Sequence, residues 1–326
     1  MLDIFFYPSY GKLYERIEGG TCEVFEHTGG DGTIRNMYIK RPVPWLVDGV
    51  QYYDVTTPYG YGGPVITAGK STEALISEYY AAWADYCRNN RIVAEFVRFH
   101  LYDNTDLSLH YPGEITQISD NVVLNLAPTI DEIWVGFEHK VRKNVKKAQR
   151  NGLAVTSDTT GEHLPDFLDI YYNTMNRNKA KSYYFFDPSY FKALNRTLKG
   201  KYVYFHVWHN EQIVSTELVL CSQNYAYSFL GGTLEDYFPM RPNDLLKYEI
   251  IRWCKETGRT VFVLGGGYHP GDGIYRYKKT FAPSDVVPFY TGRKVYYSEI
   301  YSQLIAIRSQ EPEFDVESQF FPLYRS

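Results

Sequence analysis

The sequence lacks most of the features by which a chain declares a metal, a membrane or a familiar catalytic triad. No apolar run approaches the ~20 residues that cross a bilayer, so no membrane span is expected. The N-terminus, MLDIFFYPSYGK, opens on an acid and has no basic segment ahead of a long apolar one, which predicts no signal peptide. Four cysteines (Cys22, Cys87, Cys221, Cys254) are scattered without CxxC spacing and read as reduced, mostly buried thiols of a cytoplasmic protein. His206 and His209 lie three apart on a predicted strand and point to opposite faces, so no metal site is expected. There is no GxSxG elbow and no cysteine with a histidine beside it, so nothing favours a hydrolytic triad. Neither a dinucleotide fingerprint nor a Walker A sequence accompanies the glycine-rich loops. Net positive charge is lacking too: 34 Lys and Arg against 38 Asp and Glu leave −4. Any contact with nucleic acid or anionic lipid therefore has to be local.

What is present is a globular composition, 44% hydrophobic and 22% charged, over 326 residues, long enough for two domains with their own cores. The 32 tyrosines stand out. Tyrosine brings a flat apolar body and a polar tip, which suits grooves for sugars, peptides or bases, although most are expected half-buried on sheet faces.

The chain is organised around residues 260–281, TVFVLGGGYHPGDGIYRYKKTF. Val261 to Leu264 form a short run of β-formers ended at once by Gly265, Gly266 and Gly267, a buried strand entering a loop. Without a Cβ this backbone can take positive φ or lie against a ligand. Asp272 is placed to cap a short helix, on which Ile274, Tyr277 and Phe281 share a face with Lys278 at its rim. The loop and Lys278 are thus expected to look into one cleft.

Two stretches share an order of elements. In the first, QYYDVTTPYGYGGPVI (51–66) precedes a helix capped by Ser71 or Thr72, with Leu75, Tyr79, Ala82, Trp83 and Tyr86 at helical spacing, then the strand RIVAEFVRF. In the second, Tyr225 to Phe229 form a strand broken by Gly231-Gly232; Asn243 caps a helix closed by Gly258, and Val261 to Leu264 follow. Ahead of it come two helices (164–175, 188–198), three strands with a hairpin at His209-Asn210-Glu211, and behind it a last strand near Val286 to Tyr297. This predicts an α+β fold of two similar mixed-sheet halves. The expected division is 1–136, 137–301 and a tail 302–326. Between the halves lies the helix FEHKVRKNVKKAQRNG (137–152), whose Val141, Val145 and Ala148 form a narrow apolar stripe amid Lys140, Arg142, Lys143, Lys146, Lys147 and Arg150. It reads either as a solvated face or as a phosphate or RNA contact through Lys143, Lys146 and Lys147.

A basic residue beside glycine loops and aromatic grooves suits acyl or phosphoryl transfer, where a cation steadies developing negative charge. At this point the chain resembles a known group. YDVTTPYGYGGP, AEFVRFH, the HKVRKNVKKAQRNG helix, YYNTMNRNKAKSYYFF, FLGGT with RPNDLLKYEIIRW, and FVLGGG with YRYKKTF resemble the FemABX-like and BioF2-like acyltransferases of the GCN5-related N-acetyltransferase (GNAT) superfamily. The resemblance implies tandem GNAT-like mixed sheets and transfer of an amino acid from aminoacyl-tRNA to an amine of a cell-wall precursor. It also implies that Lys278 lies at the ligation point with Tyr277 as its aromatic neighbour, and that Arg177 and Lys181 lie near the acceptor's phosphates. The coiled-coil insertion of some tRNA-using members is absent, and EDYFPMRPND lacks the Q/R-x-x-G-x-G/A that holds CoA pyrophosphate in ordinary acetyltransferases.

The expected function is therefore transfer of an aminoacyl or acyl group onto an amine of a cell-wall or glycan-type acceptor. No cofactor is expected to be tightly bound; the donor is aminoacyl-tRNA or acyl-CoA, and tRNA is the macromolecular partner considered. Lys278 is the expected catalytic residue, and the acceptor is expected between the halves near Tyr59, Tyr61, Arg98 and Arg177. Alternatives are an acyl-CoA-dependent N-acetyltransferase of an amino sugar or small amine, and a non-catalytic protein that binds a glycan precursor.

Overall fold

The computed structural model describes residues 2–269 and 271–326. Contacts divide the chain into one unit of residues 4–118 with 288–326, and another of residues 119–287.

The first unit opens with short helical turns, α1 (Pro8–Gly11) and α2 (Glu15–Glu18). Four strands follow: β1 (Thr21–Thr28), β2 (Gly32–Val47), β3 (Val50–Thr56) and β4 (Gly63–Gly69). Then come α3 (Glu73–Asn89), β5 (Ile92–Arg98) and the short α4 (Thr105–Leu109). β2 is antiparallel to β1, β3 and β4, whereas β3 and β5 run parallel because α3 carries the chain back between them. Thr72 starts α3, its side chain accepting the Leu75 N–H at 3.2 Å, as expected. The helical spacing then buries Leu75, Ile76, Tyr79, Tyr80 and Trp83 against Ile34, Val55, Ile92 and Val97. Several tyrosines serve this core with both ends. Glu95, buried in β5, accepts from Trp83 Nε1 (2.9 Å), Tyr111 OH (3.2 Å) and Tyr296 OH (2.7 Å).

The second unit takes up the end of β6 (Glu114–Asn125), α5 (Ile130–Gly136), α6 (His139–Arg150), β7 (Ala154–Asp158), α7 (Leu164–Arg177) and α8 (Pro188–Thr197). These are followed by β8 (Tyr202–His209), β9 (Gln212–Cys221), β10 (Tyr225–Thr233), α9 (Pro242–Glu256), β11 (Val261–Gly265) and α10 (Gly273–Lys279). β7, β8, β9 and β10 pair antiparallel in that order, β10 and β11 pair parallel around α9, and β11 pairs antiparallel with β6. Strand, helix, parallel strand (β3-α3-β5, β10-α9-β11) is thus built in both units, as the sequence pattern predicted. The chain closes with β12 (Val286–Val295), antiparallel to β5, and α11 (Ser298–Arg308).

Three features differ from expectation. The last strand of each unit comes from the other stretch of sequence: β6 pairs with β11, and β12 with β5. Contacts therefore divide the chain at 118/119 and 287/288 and not at 136/137 and 301/302. Burial decides it: Val122 and Leu124 of β6 share a core with Phe262 and Leu264, while Tyr290 of β12 packs on the core of the first unit. Gly231-Gly232 does not break its strand, since β10 runs through to Thr233. A Cβ on Gly232 would meet Thr174 Oγ1 at 2.3 Å and the Ile170 carbonyl at 2.8 Å, so the glycine lets α7 lie directly on β10. Finally, Asn243 is not the cap of α9. Arg241 holds that place with φ +66°, and Pro242 is the first helical residue.

Candidate active site

A cavity of about 510 Å³ opens within the second unit. Its wall is assembled from the end of α7, from β9 and β10, from the turn before α9 and the first turns of that helix, and from α10.

Lys278 reaches the wall because Asp272 shapes what precedes it. One carboxylate oxygen accepts the Tyr275 N–H (2.8 Å) and caps α10; the other accepts the N–H groups of Tyr268 (2.7 Å) and His269 (3.0 Å). Half-buried Lys278 then donates from Nζ to the Gly266 carbonyl at 2.7 Å. Gly265, at φ +85°, supplies the left-handed turn that brings this carbonyl round. Burial, reinforced by the nearby Lys247 ammonium and opposed by Glu217 and Asp272, pulls the Lys278 amine down to about 8. Gly265, Gly266 and Gly267 support Lys278 from behind and do not line the cavity themselves.

Lys247 and Glu217 form an ion pair in the wall, 5% and 4% exposed. Lys247 Nζ donates to both Glu217 oxygens at 2.5 Å and to Ser228 Oγ at 2.6 Å, so the two charges neutralise each other. Asp244, 6% exposed in the first turn of α9, accepts from Asn144 Nδ2 at 3.2 Å. Burial raises its pKa, against the Asn144 hydrogen bond and the Arg241 and Lys140 charges. Tyr277 sets its ring edge-on to Phe281 at 5.5 Å, and its hydroxyl is buried in the wall. Arg177 lines the cavity with its guanidinium over Phe238 (4.9 Å) and donates to the Thr233 carbonyl at 3.2 Å.

The structure thus brings Lys278, Tyr277 and Arg177 to one cavity. Lys181 lies outside its lining, with its ammonium 5.9 Å from the Tyr268 ring. Tyr59, Tyr61 and Arg98 belong to the other unit and do not line it either. The Tyr59 carbonyl accepts from Tyr10 OH (2.6 Å), Tyr61 packs edge-on to Phe5 and Phe289 (5.2 Å each), and Arg98 donates to the Thr57 carbonyl (3.0 Å). On α6 the apolar stripe is buried, Arg142 donates to the carbonyls that end α5, and Lys146 lies 6.0 Å from the Trp134 ring. Lys143 and Lys147 are exposed. Glu217, Ser228, Arg241, Asp244 and Lys247 escaped the sequence reading. A carboxylate inside IVSTELVL and a lysine inside LLKYEII were the available signals. Among the described residues no group of three or more His, Cys, Asp or Glu is placed to hold a metal ion, and no helix is long and apolar enough to cross a membrane.

The stretch leading into α9 lacks the motif that holds CoA pyrophosphate in ordinary acetyltransferases, and the residues that start the helix do not fit that group either. Pro242 offers no N–H, and the buried Asp244 carboxylate already faces the positive end of the helix dipole.

Residues 137–279 match the family model described as an acetyltransferase (GNAT) domain. A search of curated proteins finds no match. Among solved structures the chain is similar to FemX, with a TM-score of 0.70 at 15% identity over 93% of this chain and 94% of that one. It is also similar to L-PGS from Bacillus licheniformis, at TM-score 0.56 and 12% identity over 95% and 98% of the two chains. A tandem GNAT protein from the clavulanic acid biosynthesis pathway matches at TM-score 0.50 and 10% identity, over 83% of each chain. The chain therefore has the tandem GNAT-like fold shared with FemX, and its GNAT acetyltransferase domain makes it an acyltransferase.

Proposed function

We propose that the protein transfers an aminoacyl group from an activated ester, with aminoacyl-tRNA as donor, onto an amine of a cell-wall or glycan-type acceptor. The observation that carries this reading is the pairing of Lys278, at the cavity wall, with a helix start unsuited to CoA pyrophosphate. The FemABX-like resemblance, which implies aminoacyl transfer, supports the same choice.

In this mechanism the acceptor amine attacks the ester carbonyl of the donor, and the negative charge that develops on the carbonyl oxygen is stabilised by the Lys278 ammonium. Collapse of the tetrahedral intermediate forms the amide, breaks the ester C–O bond and releases the ribose oxygen of the tRNA, which takes up the proton lost by the amine, with no covalent enzyme intermediate. The contribution of Lys278 is made in the transition state, where the charge develops. Arg177 faces the phosphates of the acceptor in the cavity, with Lys181 outside its lining, and Lys143, Lys146 and Lys147 face the phosphates of tRNA. A second reading, acyl-CoA-dependent N-acetylation of an amino sugar or small amine, is favoured by the domain match alone.

The test is a donor screen in which charged tRNAs and acyl-CoAs are each paired with candidate amines. Amide formation with charged tRNA and none with acyl-CoA is expected; the reverse result installs the second reading.

A further inference from the structure

Two groups in the cavity wall are incomplete in complementary ways. Asp244 is a carboxylate with 6% exposure and, among the described residues, no cation within ion-pair distance. The other carboxylate of the wall, Glu217, is by contrast neutralised by Lys247 at 2.5 Å through both oxygens. A carboxylate held this far out of water with no counter-ion in contact, only the more distant Arg241 and Lys140 charges, costs free energy, and the cost is recovered when a cation is delivered to it. The second group is Tyr277. Its hydroxyl is buried and has no hydrogen-bond partner among the described residues, itself an expensive condition for a phenol. Asp244 and Tyr277 line the same cavity and feel one another electrostatically.

From this juxtaposition we infer that Asp244 and Tyr277 together seat a primary ammonium group of the substrate. The inference rests on the reading that the protein transfers acyl groups to amines. A carboxylate can only accept hydrogen bonds, and a phenol can accept one as well as donate its own, so a ligand that completes both must supply donors to Asp244. A primary ammonium has three N–H groups and the charge that Asp244 lacks. A phosphate or carboxylate of the ligand is repelled by the Asp244 carboxylate, and Arg177 supplies a cation for it in the same wall. Tyr277 and Lys278, the cation assigned to the developing oxyanion, both line this cavity. Two amines in the proposed reaction carry this chemistry: the α-amine of an aminoacyl donor and the amine of the acceptor.

Binding of small probes separates them and needs no turnover, so a failed donor screen leaves the seat measurable. Alaninamide presents an α-ammonium beside a carbonyl, as the donor does, with N-acetylalaninamide as its control. Nα-acetyl-lysinamide presents a side-chain amine, as an acceptor does, with its Nε-acetylated form as control. Titration followed by NMR is expected to show that the wild type prefers one free amine over its acetylated control at least about tenfold. Asp244→Asn should abolish that preference, losing roughly 10- to 100-fold in affinity, the usual worth of a charged hydrogen bond. Tyr277→Phe should weaken the same probe by several fold. Preference for alaninamide assigns the seat to the donor, and preference for Nα-acetyl-lysinamide assigns it to the acceptor. Neither variant should melt below the wild type, because neither removes a native ion pair. The inference is overturned by equal binding of amines and controls, by a preference that survives Asp244→Asn, or by a fall in melting temperature in both variants.

Discussion

Replacing Lys247 by Met isolates the buried charge pair under the cavity. The methionine keeps most of the aliphatic stem within the core while removing the ammonium that gives Glu217 two contacts at 2.5 Å and Ser228 one at 2.6 Å. Glu217 is only 4% exposed in the cavity wall, so it is left as an uncompensated carboxylate that water barely reaches. Breaking a buried pair from one side typically costs about 3–5 kcal/mol. For a unit spanning residues 119–287 each kcal/mol lowers the melting temperature by about 2–4 °C, so a fall of roughly 6–20 °C is expected. Lys247→Met/Glu217→Gln should recover most of that loss, because no charge remains to be desolvated. Thermal and urea unfolding of the wild type, both single variants and the double variant complete the cycle, and the coupling should exceed about 1 kcal/mol. If Lys247→Met loses under about 1 kcal/mol, or the double variant is no more stable than Lys247→Met, the pair does not hold the wall and the reasoning fails.

Lys278→Ala should lower turnover by about 10²–10³-fold, as loss of a transition-state donor does, while Lys279→Ala changes it far less; like behaviour of the two rejects the assignment. The Lys278 amine, drawn down to about 8 by burial, is a cation below that pH and neutral above it. Turnover should therefore decline above about pH 8, and in Lys278→Arg this decline should move to higher pH; a wild-type profile flat through that range removes the cation from the mechanism. Changing Lys143, Lys146 and Lys147 together to Ala should weaken tRNA binding and flatten its salt dependence, and an unchanged salt slope returns α6 to the role of a solvated face. Burial drives His206 down to about 4, against Asp158 3.9 Å from Nε2 and with the His163 ring 5.4 Å away. The unfolded state gains its proton first, from about pH 6.5 downward, so the wild type should lose up to roughly 3 kcal/mol of stability between there and pH 4. His206→Gln should flatten that part of the stability curve, and an unchanged slope places the titration elsewhere.

The parallel β-α-β unit could be read twice in the chain because its signals are local. Thr72 and Gly258 mark helix ends through their own hydrogen bonding and φ, and Trp83 and Ile250 fall on the buried face by helical spacing alone. The exchange of final strands could not be read that way. β6 and β12 are both extended segments of mixed polarity, and which strand each pairs with is decided by burial of Val122 and Leu124 beside Phe262 and of Tyr290 beside Val97. Gly231-Gly232 misleads for a related reason: in isolation it reads as a breaker, but in the fold Gly232 is what a helix lying on a strand requires and Gly231 makes room for β9.

The site divides along the same line. Lys278 was legible because Asp272, which caps its helix, and Gly266, which accepts its hydrogen bond, both lie within a dozen residues. Glu217 and Lys247 are 30 residues apart, and Asn144 and Asp244 are 100 apart, so nothing in either local pattern announces the pairing. What the sequence does contain is the anomaly on one side only: a glutamate where the two-residue alternation calls for valine, a lysine where the helical stripe calls for leucine. A buried charge defeats pattern reading because burial is the one property that its residue type argues against. It survives folding only where a distant partner, or a ligand, completes it. Glu217 has such a partner in Lys247, and Asp244 has no cationic one among the described residues. That difference makes Asp244 the sharper probe of what the cavity binds.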